Sequence, residues 1–136
     1  MRDIYSNEIE TAKERRLLLI AGLRATLDNQ GDEFILNLQP LLNLATGEIS
    51  GFEALIRWKH KTLGMIFPDE FIEIAETSDL ILRINNWVLE AGIKQLHKWL
   101  KKGYKLSLSL NISLGGSALD GLYSQLFSLI KKYHDT

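Results

Sequence analysis

The feature that most constrains this chain is a strict two-residue alternation in Lys105-Leu-Ser-Leu-Ser-Leu-Asn-Ile-Ser113. Side chains alternate across a strand, so Leu106, Leu108, Leu110 and Ile112 share one face. Ser107, Ser109, Asn111 and Ser113 share the other. The stretch Gly51-Phe-Glu-Ala-Leu-Ile-Arg-Trp58 repeats the plan with charge on its polar face. There Phe52, Ala54, Ile56 and Trp58 lie on the apolar side, and Glu53, Leu55 and Arg57 on the other. Strands apolar on one face must be covered on that face by another layer. Two helices are expected between these strands. Pro68 suits a first helical turn, with Asp69 and Glu70 near its positive end. The second helix runs from about Ser78 to Lys102, with Ile81, Ile84, Val88 and Ala91 at helical spacing and Gly103 as its cap. In a parallel α/β barrel the outer strand face packs on helices and the inner face looks into the barrel. On that plan Glu53, Arg57 and Asn111 point inward, toward a mouth where ligands bind.

The remaining segments fit the same scheme. Residues 6–30 read as a helix, with Ser6 as N-cap, Glu8 and Glu10 near the positive end, and Gly31 to end it. Ile9, Ala12, Leu19 and Leu23 fall on one face, which Ile20 and Leu27 broaden. Such a helix packs on its own domain or forms a coiled-coil connector to something upstream. Phe34 to Leu42 reads as a strand, with Phe34, Leu36 and Leu38 opposite Ile35, Asn37 and Gln39. Pro40 donates no ladder hydrogen bond and belongs at an edge or a strand end. The link Asn43-Leu-Ala-Thr-Gly47 is too short for a parallel crossover, so an antiparallel hairpin follows. Lys59 to Gly64 reads as a polar loop. Gly115-Gly116 breaks the chain after the alternating strand, and Ser117 with Asp120 resembles a capping box. The final helix carries Leu119, Leu122, Leu126 and Ile130 at helical spacing. The expected order is helix, β, β, helix, helix, β, helix.

A length of 136 residues suffices for one domain with a substantial core. With a formal net charge of −1, no whole-chain field argues for a nucleic acid polymer or an anionic membrane as partner, and neither is expected. The absence of cysteine excludes disulfides and thiolate metal sites and fits a reducing compartment. Leu17 to Ala21, the longest apolar run near the N-terminus, is too short to cross a bilayer, and its charged flank is unlike a signal peptide. A cytoplasmic location is expected.

Glu53, Asn111 and Gln39 are oxygen donors with no sulfur beside them. Carboxylate plus amide carbonyl suits a hard cation such as magnesium or manganese. Arg57, on the face of Glu53, suits a phosphate oxygen, because its planar fork pairs bidentately with oxyanions. Spacing alone leaves plainer alternatives open. Glu53 and Arg57 could form a salt bridge within the strand, and Asn111 could satisfy nearby backbone groups. His60, His97 and His134 show no ligand spacing and read as surface residues. Trp58, Trp87 and Trp99 read as packing residues, and Lys98, Lys101 and Lys102 as a solvated helix end.

The run Gly51 to Trp58 resembles the signature of the EAL family, bacterial phosphodiesterases acting on cyclic di-GMP, through Glu53-Ala54-Leu55. Phe34-Ile-Leu-Asn-Leu-Gln-Pro40 resembles the family's first strand, and Ala45 to Gly51 the hairpin before the signature. Gly64-Met-Ile-Phe-Pro-Asp-Glu-Phe-Ile72, Ala75-Glu76 and Trp87-Val-Leu89 resemble its next helices, and Leu110-Asn-Ile-Ser113 its Val-Asn-Leu-Ser strand. The resemblance implies a partial (truncated) TIM-like barrel of the EAL type, with its first strand antiparallel, preceded by a linker helix. Residues 1–32 would form that linker and residues 33–136 the N-terminal half of the domain. It implies Glu53 and Asn111 as metal ligands, Gln39 against the dinucleotide, Arg57 on a phosphate and Leu55 against a guanine face. Two magnesium or manganese ions would activate a water that opens one phosphodiester bond, giving linear pGpG. Leu38, Lys61 and Asp79 depart from the usual tyrosine, proline and glycine, away from the metals. The family's later ligands are absent from this sequence: a glutamate, a paired aspartate, the catalytic lysine and further glutamates. No complete catalytic set is therefore expected in these residues, and no turnover by them alone. A non-catalytic module acting by protein contact or weak nucleotide binding is the alternative. Self-association through exposed strand edges and an upstream sensor or cyclase domain are the expected partners besides the nucleotide.

Overall fold

The computed structural model describes residues 4–113 and 121–134, without the side chains of residues 4–10. Its elements are α1 (Ile4–Asp28), β1 (Phe34–Leu42), β2 (Ile49–His60), β3 (Gly64–Ile66), α2 (Pro68–Glu76), α3 (Leu80–Lys101), β4 (Ser107–Leu110) and α4 (Leu122–His134). β2 organises the sheet. It pairs antiparallel with β1 from Phe34↔Trp58 to Leu42↔Ile49. Its other edge pairs parallel with β4 from Gly51↔Ser107 to Ala54↔Leu110, and antiparallel with β3 from Trp58↔Ile66 to His60↔Gly64. The hairpin and the parallel α/β step both match the sequence reading. The polar loop expected from Lys59 does not. There β2 continues to His60 and turns through residues 61–63 into β3. His60 holds this turn, its Nδ1 accepting from the N–H groups of Thr62 and Leu63 at 3.0 Å each. It is half-buried, with its ring edge-on to Trp58, and is thus more structural than a surface residue.

Helix boundaries follow local chemistry, with two corrections. α1 already includes residues 4–6, so Ser6 lies within the helix rather than at its N-cap position. At the other end Gln30 (φ 61°) and Gly31 (φ 71°) take the left-handed region, and the Gly31 N–H donates to the Thr26 carbonyl at 2.7 Å. This six-to-one bond closes the helix, with a glutamine rather than Gly31 at the first left-handed position. α2 opens with Pro68 and carries Asp69 and Glu70 in its first turn, as expected. In α4 the buried residue is Leu129, supported by half-buried Leu122, Leu126 and Tyr133, whereas Ile130 is exposed. The three-residue step from Leu126 to Leu129, not the four-residue step to Ile130, keeps the face on α3. The expected capping box at Ser117–Asp120, the Gly115-Gly116 break and Leu119 lie outside the described residues.

The core sits between the helices and the apolar faces of β1 and β2. Trp58, fully buried, meets Phe34, Phe71 and His60 edge-on, and its indole N–H donates to Glu33 Oε1 at 3.0 Å. Leu19 and Leu23 of α1 are fully buried in the same cluster, whereas Ala12 is exposed. Burial of this kind is the main driving force of the fold. Trp87 packs edge-on to Phe34, and Trp99 lies against Phe52, so all three tryptophans are packing residues. α1 is clamped to α2 by Arg15, whose Nε and Nη2 meet the two carboxylate oxygens of Glu70 at 2.7 and 3.0 Å. The fork holds the Glu70 carboxyl below its ordinary range and raises the guanidinium. Glu90 of α3 is likewise held low by Lys132 and Tyr133 of α4, each at 2.8 Å.

Candidate functional site

The register of the sheet builds the site. Gln39 of β1 stands directly opposite Glu53 of β2, and Glu53 is in turn in register with Ser109 of β4. Asn111 follows two residues later, on the face of Ser109. The faces turned away from the helices thus converge, because Ala54, Ile56 and Trp58 of β2 are buried against the helix layer. The Asn111 Nδ2 group donates to Glu53 Oε1 at 3.2 Å. That contact distinguishes the alternatives left open by spacing. Asn111 bonds the carboxylate of Glu53 rather than a backbone group, and Glu53 is committed to Asn111 rather than to Arg57. Arg57 Nη1 instead donates to the carbonyl of its neighbour Ile56 at 3.1 Å. No ion pair joins Glu53 and Arg57 among the described residues.

A cavity of about 420 Å³ opens at the edge of β2, between the sheet and the helix layer. There Leu55, Arg57 and Asn111 meet the helix-facing Ala54, Ile56 and Leu110 and, from the helices, Ile72, Asn85 and Val88; Glu53 lies outside its lining. Its position follows from the strand lengths. β4 leaves β2 after Ala54 and β3 joins only at Trp58, so that edge of β2 is open at residues 55–57 among the described residues. Leu55 and Arg57 are half-buried there, while Asn111 is exposed. Gln39 is exposed as well and lies across the strand pair from Glu53, outside the cavity lining. The structure therefore brings Glu53 and Asn111 into contact and gathers Leu55, Arg57 and Asn111 around one cavity.

Sequence reasoning missed Asn85. It is 5% exposed, on the inward face of α3, and both ends of its amide bond the backbone of Ser113. The signal was present. Asn85 stands four residues after Ile81 and three before Val88, a core position of an amphipathic helix held by a polar side chain. Buried amides at such positions are hydrogen-bonded to something specific.

A hairpin with an antiparallel first strand, then two helices and a strand parallel to the second, is an α/β arrangement of the TIM-barrel type. The family model of the EAL domain matches residues 21–136. This chain belongs to the EAL domain family. It is 31% identical over 129 residues to cyclic di-GMP phosphodiesterase PA2567 of Pseudomonas aeruginosa, covering 95% of this chain and 22% of that protein. It is equally 31% identical over 129 residues to cyclic di-GMP phosphodiesterase PdeR of Escherichia coli, covering 95% of this chain and 19% of that one. The solved PaMucR phosphodiesterase in its c-di-GMP complex superposes with a TM-score of 0.78 at 30% identity, over 86% of this chain and 47% of that one. The Xanthomonas citri FimX EAL domain in complex with c-diGMP gives 0.74 at 28% identity, over 92% and 47%. The chain thus spans about a fifth of these curated relatives and just under half of these solved chains. Among the described residues no helix is long and apolar enough to cross a membrane.

Proposed function

We propose that this chain contributes the Glu53–Asn111 half of a site that binds cyclic di-GMP and, with the family's later ligands, hydrolyses it to linear pGpG. The observation that carries the reading is the 3.2 Å contact between Glu53 and Asn111, in register with Gln39 and beside the cavity of Arg57 and Leu55. The donor set suits a hard cation. A half-turn of the Asn111 amide exchanges Nδ2 for Oδ1 and sets a second oxygen donor beside Glu53 Oε1. Glu53 and Asn111 would hold such an ion, magnesium or manganese, which supplies a polarised phosphoryl oxygen and an ionised water. The remaining roles belong to the chain itself. Arg57 exchanges the Ile56 carbonyl for a phosphate oxygen, gaining a charge-assisted pair in place of a neutral acceptor. Leu55 offers an apolar surface to a guanine, and Gln39 an amide to the dinucleotide.

Two oxygen ligands leave most of a hard cation's coordination to water, so these residues alone hold the metal weakly and show no turnover. In the same reading the chain is cytoplasmic, and residues 1–32 connect residues 33–136 to an upstream sensor or cyclase module. We also propose that it self-associates. β1 and β4 each have one neighbouring strand among the described residues, and Ile35, Leu42, Tyr123 and Phe127 are exposed.

Isothermal titration with cyclic di-GMP and manganese, together with chromatography of the product, tests the reading. Weak binding that weakens further in Arg57→Ala and Glu53→Ala, without pGpG, is the expected result. No binding by the unaltered chain at millimolar nucleotide overturns the site. pGpG that disappears in Glu53→Ala overturns the claim of inactivity. A monomer by light scattering at high concentration, without dye-binding apolar surface, overturns self-association.

A further inference from the structure

Asn111 carries the proposed ligand set together with Glu53, yet it stands beyond the end of β4, which stops at Leu110. Ladder hydrogen bonds to β2 end with the Ala54↔Leu110 pair. Something other than the sheet must hold the backbone there. Asn85 of α3 does so. Its Nδ2 donates to the Ser113 carbonyl at 2.8 Å, and its Oδ1 accepts from the Ser113 N–H at 3.2 Å. A side-chain amide is a peptide group in miniature, so this two-way pairing copies a neighbouring strand's ladder for one residue. The amide is buried, which makes an unmatched donor or acceptor costly and fixes the geometry. Ser113 is held a second time, its hydroxyl donating to Glu76 Oε2 at 3.0 Å from the end of α2.

We propose that Asn85 is a positioning residue for the nucleotide site: by pairing with the Ser113 backbone it extends the β4 ladder and fixes Asn111 against Glu53. The proposal rests on the functional reading only for its consequence in ligand binding. The geometric claim stands apart from it. Packing alone is insufficient as an account of Asn85, because an apolar side chain at this core position would meet neither Ser113 group. The arrangement also links the ends of both covering helices to the ligand strand through one residue.

The test is heteronuclear NMR on the 136-residue chain, comparing it with Asn85→Leu, Asn85→Asp and Glu76→Gln. Unchanged indole N–H signals of Trp58, Trp87 and Trp99 report an intact core. In Asn85→Leu the nuclear Overhauser contact between the Asn111 side-chain amide and the Glu53 methylenes disappears. The Ser113 amide there exchanges roughly tenfold faster or more as the local segment opens. Asn85→Asp still accepts from the Ser113 N–H but gives nothing to its carbonyl, so it retains amide protection and weakens the Overhauser contact. Glu76→Gln retains an acceptor for the Ser113 hydroxyl and keeps both signals. If Asn85→Leu does not fold, Asn85→Asp decides on the same two signals. An Overhauser contact and a Ser113 exchange rate that match the unaltered chain in folded Asn85→Leu, or an undiminished Overhauser contact in Asn85→Asp, overturn the proposal. Manganese titration by paramagnetic relaxation then reads the consequence, with affinity in Asn85→Leu roughly ten- to a hundredfold weaker, as for other residues that orient metal ligands. An unaltered chain that binds no manganese overturns the functional reading, while the NMR signals still decide the role of Asn85.

Discussion

Replacing Gly51 by alanine separates the two strands that carry the site. Gly51 is buried where β2 meets β4, and it pairs with Ser107. A methyl built there lies 2.5 Å from the Ser107 carbonyl oxygen and collides with the Ser107 hydroxyl. The hydroxyl can rotate away, but the carbonyl is backbone and moves only with the strand. Restoring ordinary contact requires β4 to withdraw by roughly 1 Å. Four paired positions depend on the present spacing, and the 3.2 Å Asn111–Glu53 contact lies just beyond them. Losing two ladder hydrogen bonds at about 1 kcal/mol each, with about 1 kcal/mol of overpacking strain, gives about 2–3 kcal/mol of destabilisation. With a urea slope of about 2 kcal/mol/M, the unfolding midpoint falls by roughly 1–1.5 M. Urea titration by tryptophan fluorescence measures it, and Ser107→Gly on the Gly51→Ala background identifies the cause. That second change removes the hydroxyl and leaves the carbonyl, so little stability returns. A midpoint within error of the unaltered chain, or full recovery with Ser107→Gly, would refute the backbone collision.

Trp58→Ala removes a fully buried indole from three ring contacts and leaves Glu33 without its partner; a loss of about 3–5 kcal/mol is expected from urea unfolding. Trp58→Phe should lose clearly less, because a ring remains. Asp32, Glu70 and Glu90 are all held below their ordinary values, by Thr26, Arg15 and Lys132 respectively as the foremost partners. The unfolded chain therefore binds more protons. Stability from these groups is fully present above ordinary values of 3.8 for the aspartate and 4.5 for the glutamates, and is lost as pH falls through the lower folded values. Thermal melts in an acid series should show this decline, flattened in Arg15→Ala and Lys132→Ala. Gly31→Ala should lower the melting temperature, since Gly31 sits at φ 71° and an added methyl meets the Trp87 indole.

The two-residue alternation made the sheet legible, because a strand with one apolar face admits one orientation. It placed Glu53, Arg57 and Asn111 away from the helix layer before any coordinates. Amphipathic spacing found α3 for a similar reason, and Pro68 with Asp69 and Glu70 in the first turn found α2. The misses occurred where tertiary contacts outweighed local pattern. β3 has three residues, too few for any periodicity, and it exists because β2 runs on to His60 and the His60 ring gathers the turn amides. Leu129 replaced Ile130 in the core because two adjacent apolar residues leave the packed face of α4 undecided until α3 is in place. Thr26 is buried although polar, since its hydroxyl donates to Asp32 at 2.9 Å and accepts from the Glu33 N–H at 3.0 Å, a pairing that forms only when α1 ends there.

The site divides along the same line. Gln39 and Glu53 are fixed by strand register, which a hairpin with a short link sets and a one-residue slip would reverse. Asn111 lies outside that control, past the last ladder pair, and depends on Asn85 and Glu76 reaching across from the helices. The hairpin could therefore be read from sequence, whereas its register, which shifts between Leu41 and Leu42, and the helix contacts could not. Their partners lie 28 and 37 positions apart in the chain, and one of them is a backbone group that carries no residue identity. A change in the helix layer that spares every sheet residue can still move one of the two proposed ligands. Within this fold, Asn111 is the adjustable member of the pair and Glu53 the fixed one.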